Sequence, residues 1–192
     1  MKVDFEKEQA NRIQFSLVGV SPTFANAIRR YGMMRIPVMA IDNITIYENT
    51  SSMFDEYLAQ RIGLIPLVTP AKIPAESEAV FILDEVGPKL TTSKDLKSSD
   101  SEIVPARENV TIITLGEKQK LKLEAKAKLN IGATHAKYQS GILSYEIVGD
   151  DKFIFKVESL YHMPTREIVM RACDLIEDDI TTIVKELKKV VK

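Results

Sequence analysis

The chain has 192 residues, with 26 Lys and Arg against 27 Asp and Glu, 45% hydrophobic residues and a single cysteine. This is globular composition; it excludes collagenous and disordered polymers, and a net charge of -1 gives no overall field for nucleic acid or an anionic membrane. One cysteine allows neither an internal disulfide nor an all-cysteine metal site, which suits a reducing, cytoplasmic setting, and no apolar run approaches the roughly 20 residues of a membrane span.

The first residues are charged and then alternate, with Ile13, Phe15 and Leu17 set against Arg12, Gln14 and Ser16, the pattern of strands with one wet face. The period changes at Ser21-Pro22, an N-cap and first-turn proline, and Phe24, Ala27, Ile28 and Tyr31 recur at helical spacing until Pro37. Arg29 and Arg30, near the end of that helix, suit two roles: complementing its negative end or gripping carboxylates of a partner. Residues 38–47 read as a β-branched strand, and Ser52-Met53-Phe54-Asp55 as a capping box opening a helix over 53–62, stopped by Gly63 and Pro66. A strand over 64–68 follows. Pro70, Pro74, Pro88 and Pro105 then surround one clear strand, 79–83, and the polar stretch 91–102 reads as a mobile surface excursion.

Residues 119–129 alternate strictly, with Leu121, Leu123, Ala125, Ala127 and Leu129 on one face and mostly lysine on the other. Strands over 141–148 and 152–159, joined through Gly149-Asp150-Asp151, lead into a closing helix from Pro164 to about Val191. In it Cys173/Ile176, Ile180/Ile183 and Leu187/Val190 step as heptad a and d positions, and Ile168, Val169, Ala172, Leu175, Val184 and Val191 widen the stripe. At the usual helical rise it runs roughly 42 Å, against a radius of gyration of about 13 Å for a 100-residue domain. Either the stripe outreaches its own domain and meets another subunit, or a small sheet underlies the whole helix and its last turns fray.

Nothing in the residues predicts a catalytic, metal or nucleotide site. His135 and His162 are far apart, the glycines form no phosphate loop, and the pairs Asp84/Glu85 and Asp150/Asp151 flank turns. Two rival readings are a nucleic-acid module using Lys120, Lys122, Lys126 and Lys128, and a small hydrolase around Cys173. The first lacks interleaved aromatics; the second places its thiol in an apolar helical stripe.

Taken together, the stretches from Ser21-Pro22-Thr23-Phe24 through Asn26-Ala27-Ile28-Arg29-Arg30, then Arg35-Ile36-Pro37-Val38, Asp55-Glu56-Tyr57-Leu58-Ala59-Gln60-Arg61-Ile62-Gly63-Leu64-Ile65-Pro66-Leu67, Ser93-Lys94-Asp95-Leu96 and His135-Ala136-Lys137-Tyr138 resemble the D-subunit family of archaeal RNA polymerase. The family includes the third-largest subunit of eukaryotic RNA polymerase II and the N-terminal domain of the bacterial alpha subunit. The resemblance covers essentially the whole chain. It implies an α+β fold: a dimerisation domain of helices on a small antiparallel sheet, built from residues 1–45 and 152–192, with a mostly-β domain, 46–151, inserted.

The implied function is a non-catalytic assembly subunit of DNA-directed RNA polymerase in transcription. It pairs with the smaller alpha-like subunit L, and the pair, joined by subunits N and P, docks the two large catalytic subunits. No catalytic residue, sequence-specific nucleic-acid contact or membrane is expected. The implied interface comprises Phe24, Ala27, Ile28, Arg29, Arg30 and Tyr31 of the first helix, with the arginine pair implicated in holding the second-largest subunit. From the last helix it takes Val169, Ala172, Cys173, Ile176, Ile180, Ile183, Val184, Leu187 and Val190. Many archaeal members carry a cysteine-rich insertion with an iron–sulfur cluster, which would fall near residues 149–151; one cysteine cannot supply its thiolates, so no cofactor is expected. His135 is expected to anchor its loop by a hydrogen bond.

Overall fold

The computed structural model describes every residue except Asp150, Val191 and Lys192. In chain order the first elements are β1 (Lys2–Gln9), β2 (Arg12–Val18), α1 (Pro22–Met34), β3 (Pro37–Asn49), α2 (Asp55–Gly63), β4 (Glu78–Val86) and β5 (Lys89–Thr92). After a 3-10 turn at Ser93–Asp95 come β6 (Lys97–Ser98), β7 (Thr111–Leu115), β8 (Lys120–Ile131), β9 (Gly141–Val148), β10 (Lys152–Ser159) and α3 (Thr165–Val190). They form two compact units, one of Met1–Pro37 with Ile131–Lys192, the other of Val38–Asn130.

The terminal unit is an antiparallel sheet in the order β1-β2-β10-β9, with α1 and α3 packed on it. Register makes an aromatic row across all four strands, Phe5 opposite Phe15, Phe15 opposite Phe155 and Phe155 opposite Tyr145. Phe15 and Phe155 stack with centroids 5.0 Å apart, and Ile13, Leu17, Phe153 and Val157 are buried beside them. Such in-register aromatic pairs each add a few tenths to about 1 kcal/mol to a sheet. Two glycines let the helices come close to the sheet: a Cβ on Gly32 would stand 2.5 Å from Leu143, and one on Gly141 would stand 2.9 Å from Ile168.

This topology moves the expected division of the chain. Residues 131–148, expected in the inserted domain, belong to the terminal unit because β9 pairs with β10 along its whole length. Residues 38–45, expected in the dimerisation domain, belong to the central unit, where Met39 and Ile41 are core.

In the central unit the sheet order is β3-β8-β4-β6, with β5 and β7 paired separately. The strict alternation of β8 places Leu121, Leu123, Ala125 and Ala127 in the core with Phe81, Leu83, Leu58 and Ile62. Three sequence expectations change here. Residues 64–68 form no strand, only a single bridge between Leu67 and Pro105. The second helix starts at Asp55, with Phe54 at the N-cap making no side-chain capping bond, so the Ser52 capping box does not form.

The polar stretch 91–102 is anchored rather than loose. Thr91, Ser93 and Leu96 are buried, and the Ser93 hydroxyl donates to the Arg107 carbonyl and accepts from the Val110 amide. Asp95 closes a capping box with Thr92, and Lys89 Nζ sits 2.8 Å from Glu85 and 2.6 Å from Asp95. Burial pushes the Asp95 carboxyl up, but hydrogen bonds from Lys89 and Thr92 outweigh it and hold the group below its ordinary value.

Candidate partner interface

Helix α1 starts because Ser21 Oγ accepts the Phe24 amide and Pro22 needs no donor at the first turn. Its buried face is Ala25, Ile28 and Gly32, not the larger set Phe24, Ala27, Ile28 and Tyr31 suggested by hydropathy. Ile28 is thus core of this chain rather than a surface for another. Phe24, Ala27 and Tyr31 lie on the shoulder of the helix, partly accessible.

The two arginines behave differently. Helix α1 runs on to Met34, so neither sits in its last turn and neither complements its negative end. Arg29 folds back, donating from Nε and Nη2 to Asn26 Oδ1 at 3.1 and 2.9 Å. Arg30 stays exposed beside a groove that also takes in Asn26, Tyr31, Met34 and Arg35.

Helix α3 changes character along its length. Thr165, Ile168 and Ala172 are buried and Val169, Leu175 and Ile176 half-buried, so its first half lies on the sheet. Ala172, expected at an interface, is therefore core. Near its start, Arg166 Nε donates to Glu8 at 2.9 Å and its guanidinium lies 5.0 Å from the Phe5 ring centre, tying edge strand β1 to the helix. Hydrogen bonding from Arg166 holds the Glu8 carboxyl below its usual range.

Midway, Asp179 Oδ2 accepts from the Tyr31 hydroxyl at 2.7 Å and from Arg35 Nη2 at 3.3 Å, and the Arg35 guanidinium stands 5.7 Å from the Tyr31 ring centre. The hydrogen bond to Asp179 raises the Tyr31 pKa, because it favours the protonated phenol. Tyr31, Arg35 and Asp179 form a latch across 148 residues of sequence. Tyr31 falls on the apolar stripe read from the sequence, but no local pattern there joins it to Arg35 or Asp179.

Beyond the latch the apolar stripe is uncovered. Ile180 is 55% exposed, Ile183 58%, Val184 43%, Leu187 57% and Val190 81%. These residues extend about 16 Å past the latch at the helical rise. Val191, expected to widen the stripe, lies outside the described residues. Phe24 of α1 joins the stripe, forming an open groove of about 260 Å³ with Cys173, Ile176 and Ile180. The thiol of exposed Cys173 is pushed up by partial burial and then by Asp174, which makes it a poorer nucleophile.

Elsewhere, the lysines of β8 are each paired: Lys120 with Glu48 at 3.6 Å, Lys122 with Asp84 at 3.0 Å, Lys126 with Glu124 at 3.9 Å and Lys128 with Asp42 at 2.6 Å. A phosphate backbone would meet neutralised charge there, which disfavours the nucleic-acid reading. His135 Nδ1 accepts the Lys137 amide at 3.1 Å and caps the 3-10 turn Ala136–Tyr138, anchoring its loop. Among the described residues no group of three or more His, Cys, Asp or Glu is placed to hold a metal ion, and no helix is long and apolar enough to cross a membrane.

Two helices on a four-stranded sheet, one of them continuing past its support with a bare apolar stripe, define a dimerisation module. The sequence comparisons agree with that class: the RNA polymerase Rpb3/Rpb11 dimerisation domain matches residues 14–180, so the chain belongs to this family of RNA polymerase subunits. It is similar to DNA-directed RNA polymerase subunit Rpo3 of Methanocaldococcus jannaschii, 37% identical over 169 residues, covering 88% of this chain and 86% of that protein. Rpo3 of Halobacterium salinarum is 32% identical over 230 residues, covering 92% and 93%. Rpo3 of Natronomonas pharaonis is 42% identical over 141 residues, but that match takes in 73% of this chain and only 57% of the relative.

Proposed function

We propose that this chain is a non-catalytic assembly subunit of DNA-directed RNA polymerase, acting in the cytoplasm. It pairs through α1 and the outer half of α3 with the smaller alpha-like subunit L; the pair then receives subunits N and P and the two large catalytic subunits. The observation that carries this reading is the stripe from Ile180 to Val190, exposed at one residue after another while the first half of the same helix is covered by its own sheet. Each such aliphatic side chain gains roughly 1.5–3 kcal/mol on full burial, enough in sum to support an obligate, largely apolar interface of about 2,000 Å². Phe24, Val169, Cys173 and Ile176 extend the surface, and Arg30, exposed in the separate groove along α1, is the arginine of the pair available to a large subunit.

The iron–sulfur cluster implied for some relatives does not fit this chain. It has one cysteine, on α3, and only three residues of sequence separate β9 from β10. The alignment with the Halobacterium relative is longer than this chain itself, so it passes over residues which that protein has and this one lacks. We therefore assign the chain no cofactor.

Co-expression with subunit L and size-exclusion chromatography with light scattering test the pairing. A one-to-one complex is expected, and Ile180→Asp with Ile183→Asp should remove it by forcing two carboxylates into an apolar seam. Recovery of the complex from that double variant at wild-type yield would overturn the reading.

A further inference from the structure

The central unit carries a second uncovered apolar feature, on α2. Leu58 and Ile62 face its core, while Phe54 is 72% and Tyr57 62% exposed, their ring centres 6.5 Å apart. With Met53, Gln60 and Arg61 they line an open groove of about 390 Å³. Phe54 also occupies the N-cap position, where serine, threonine or aspartate would satisfy a free amide. A large, exposed aromatic ring at a position that favours a small polar group forgoes the capping hydrogen bond, and the ring contact it makes in return is the tilted one with Tyr57. Positions that break a local rule in this way mark function.

Arg61 supplies the charge in the groove. Its Nη2 donates to the Thr111 carbonyl at 2.8 Å, which fixes the side chain, yet no carboxylate pairs with it among the described residues. A guanidinium held in place beside two aromatic rings, with donors to spare, matches an apolar segment that brings its own carboxylate. Tyr, Phe and Arg are also the side chains enriched at the centres of protein interfaces. A nucleic acid fits less well: the groove offers one cation, Arg61, where a phosphate backbone is held by several.

We propose that the Phe54–Tyr57–Arg61 face of α2 is a docking surface, separate from the α1 and α3 interface, for an apolar segment of another polymerase polypeptide whose Asp or Glu pairs with Arg61. The proposal rests on the assembly role above and adds a second point of attachment. To test it, Tyr57 is replaced by the photocrosslinker p-benzoylphenylalanine in the full chain, polymerase is assembled from its complete subunit set and irradiated, and the adducts are mapped. The same probe at position 183 reports on the subunit L interface.

The expected adduct from position 57 lies on a different polypeptide, within four residues of an Asp or Glu. With the probe moved to position 54, Arg61→Gln should cut the yield at least tenfold. Because Arg61 also holds the Thr111 carbonyl, Tyr57→Glu, a surface change that repels the same carboxylate, should do likewise. No adduct from position 57, or adducts only within this chain, a second copy, nucleic acid or a segment without a carboxylate, would overturn the docking surface even when position 183 crosslinks to subunit L. Failure at position 183 alone would count against the heterodimer and not against this surface.

Discussion

Strand β8 and the outer half of α3 are both amphipathic, and they end differently. On β8 the apolar residues Leu121, Leu123, Ala125 and Ala127 are all at most 1% exposed, because β3 and β4 flank the strand and the rest of the central unit closes over it. On α3, Ile180, Ile183, Val184 and Leu187 carry the same kind of pattern and stay open to solvent. Hydrophobic periodicity states which face must be buried; it does not state which polypeptide will bury it. The central unit covers the apolar face of β8 by itself, whereas the terminal unit leaves the outer stripe of α3 open to solvent.

The largest effect should come from Ile180→Asp with Ile183→Asp, which is expected to weaken the proposed pairing with subunit L by at least about 1,000-fold, about 4 kcal/mol. Circular dichroism of the variant chain should change little, since neither residue is covered by its own unit. Next, Phe81→Ala in the central core should lower stability by about 3–5 kcal/mol in urea titrations while leaving the affinity for subunit L unaltered once folded. If the first substitution unfolded the chain and the second abolished pairing, the contrast between the two regions would collapse.

A smaller change tests the boundary between covered and uncovered helix. Tyr31→Phe keeps the ring and removes the hydroxyl that Asp179 accepts, so it should cost about 1 kcal/mol. Faster amide exchange in residues 180–190 relative to 165–178 would report it. The smallest effect concerns Asp95. Its carboxyl is held below the ordinary value in the folded chain, so its contribution is present above about pH 4 and is lost as the pH falls through the depressed value. Lys89→Met should flatten that acid limb of a stability-against-pH curve; an unchanged limb would show that the Lys89 contact does not set it.

Much of the fold is legible because periodicity and punctuation carry it. The alternation of β8, the Ser21-Pro22 start of α1 and the long stripe of α3 all appear where the residues indicate. The failures have specific causes. The buried face of α1 includes Ala25 and Gly32, whose small side chains give little hydrophobic signal although close packing depends on them. The stretch 91–102 reads as loose because its residues are polar, yet Ser93 and Asp95 use that polarity to hold backbone and Lys89. Phe54 is hidden by the better capping residue two places earlier. The Tyr31–Asp179–Arg35 contact joins positions far apart in the chain, and only the folded arrangement brings them together.

That contact sits at the fulcrum of a lever. With an arm of about 16 Å beyond Asp179, a tilt of about 10° there would carry the last turn of α3 sideways by about 3 Å, most of the width of a methyl group. Anything docked along the arm inherits that displacement. A single carboxylate, gripped by a phenol and a guanidinium, thus sets the aim of the outer turns of α3.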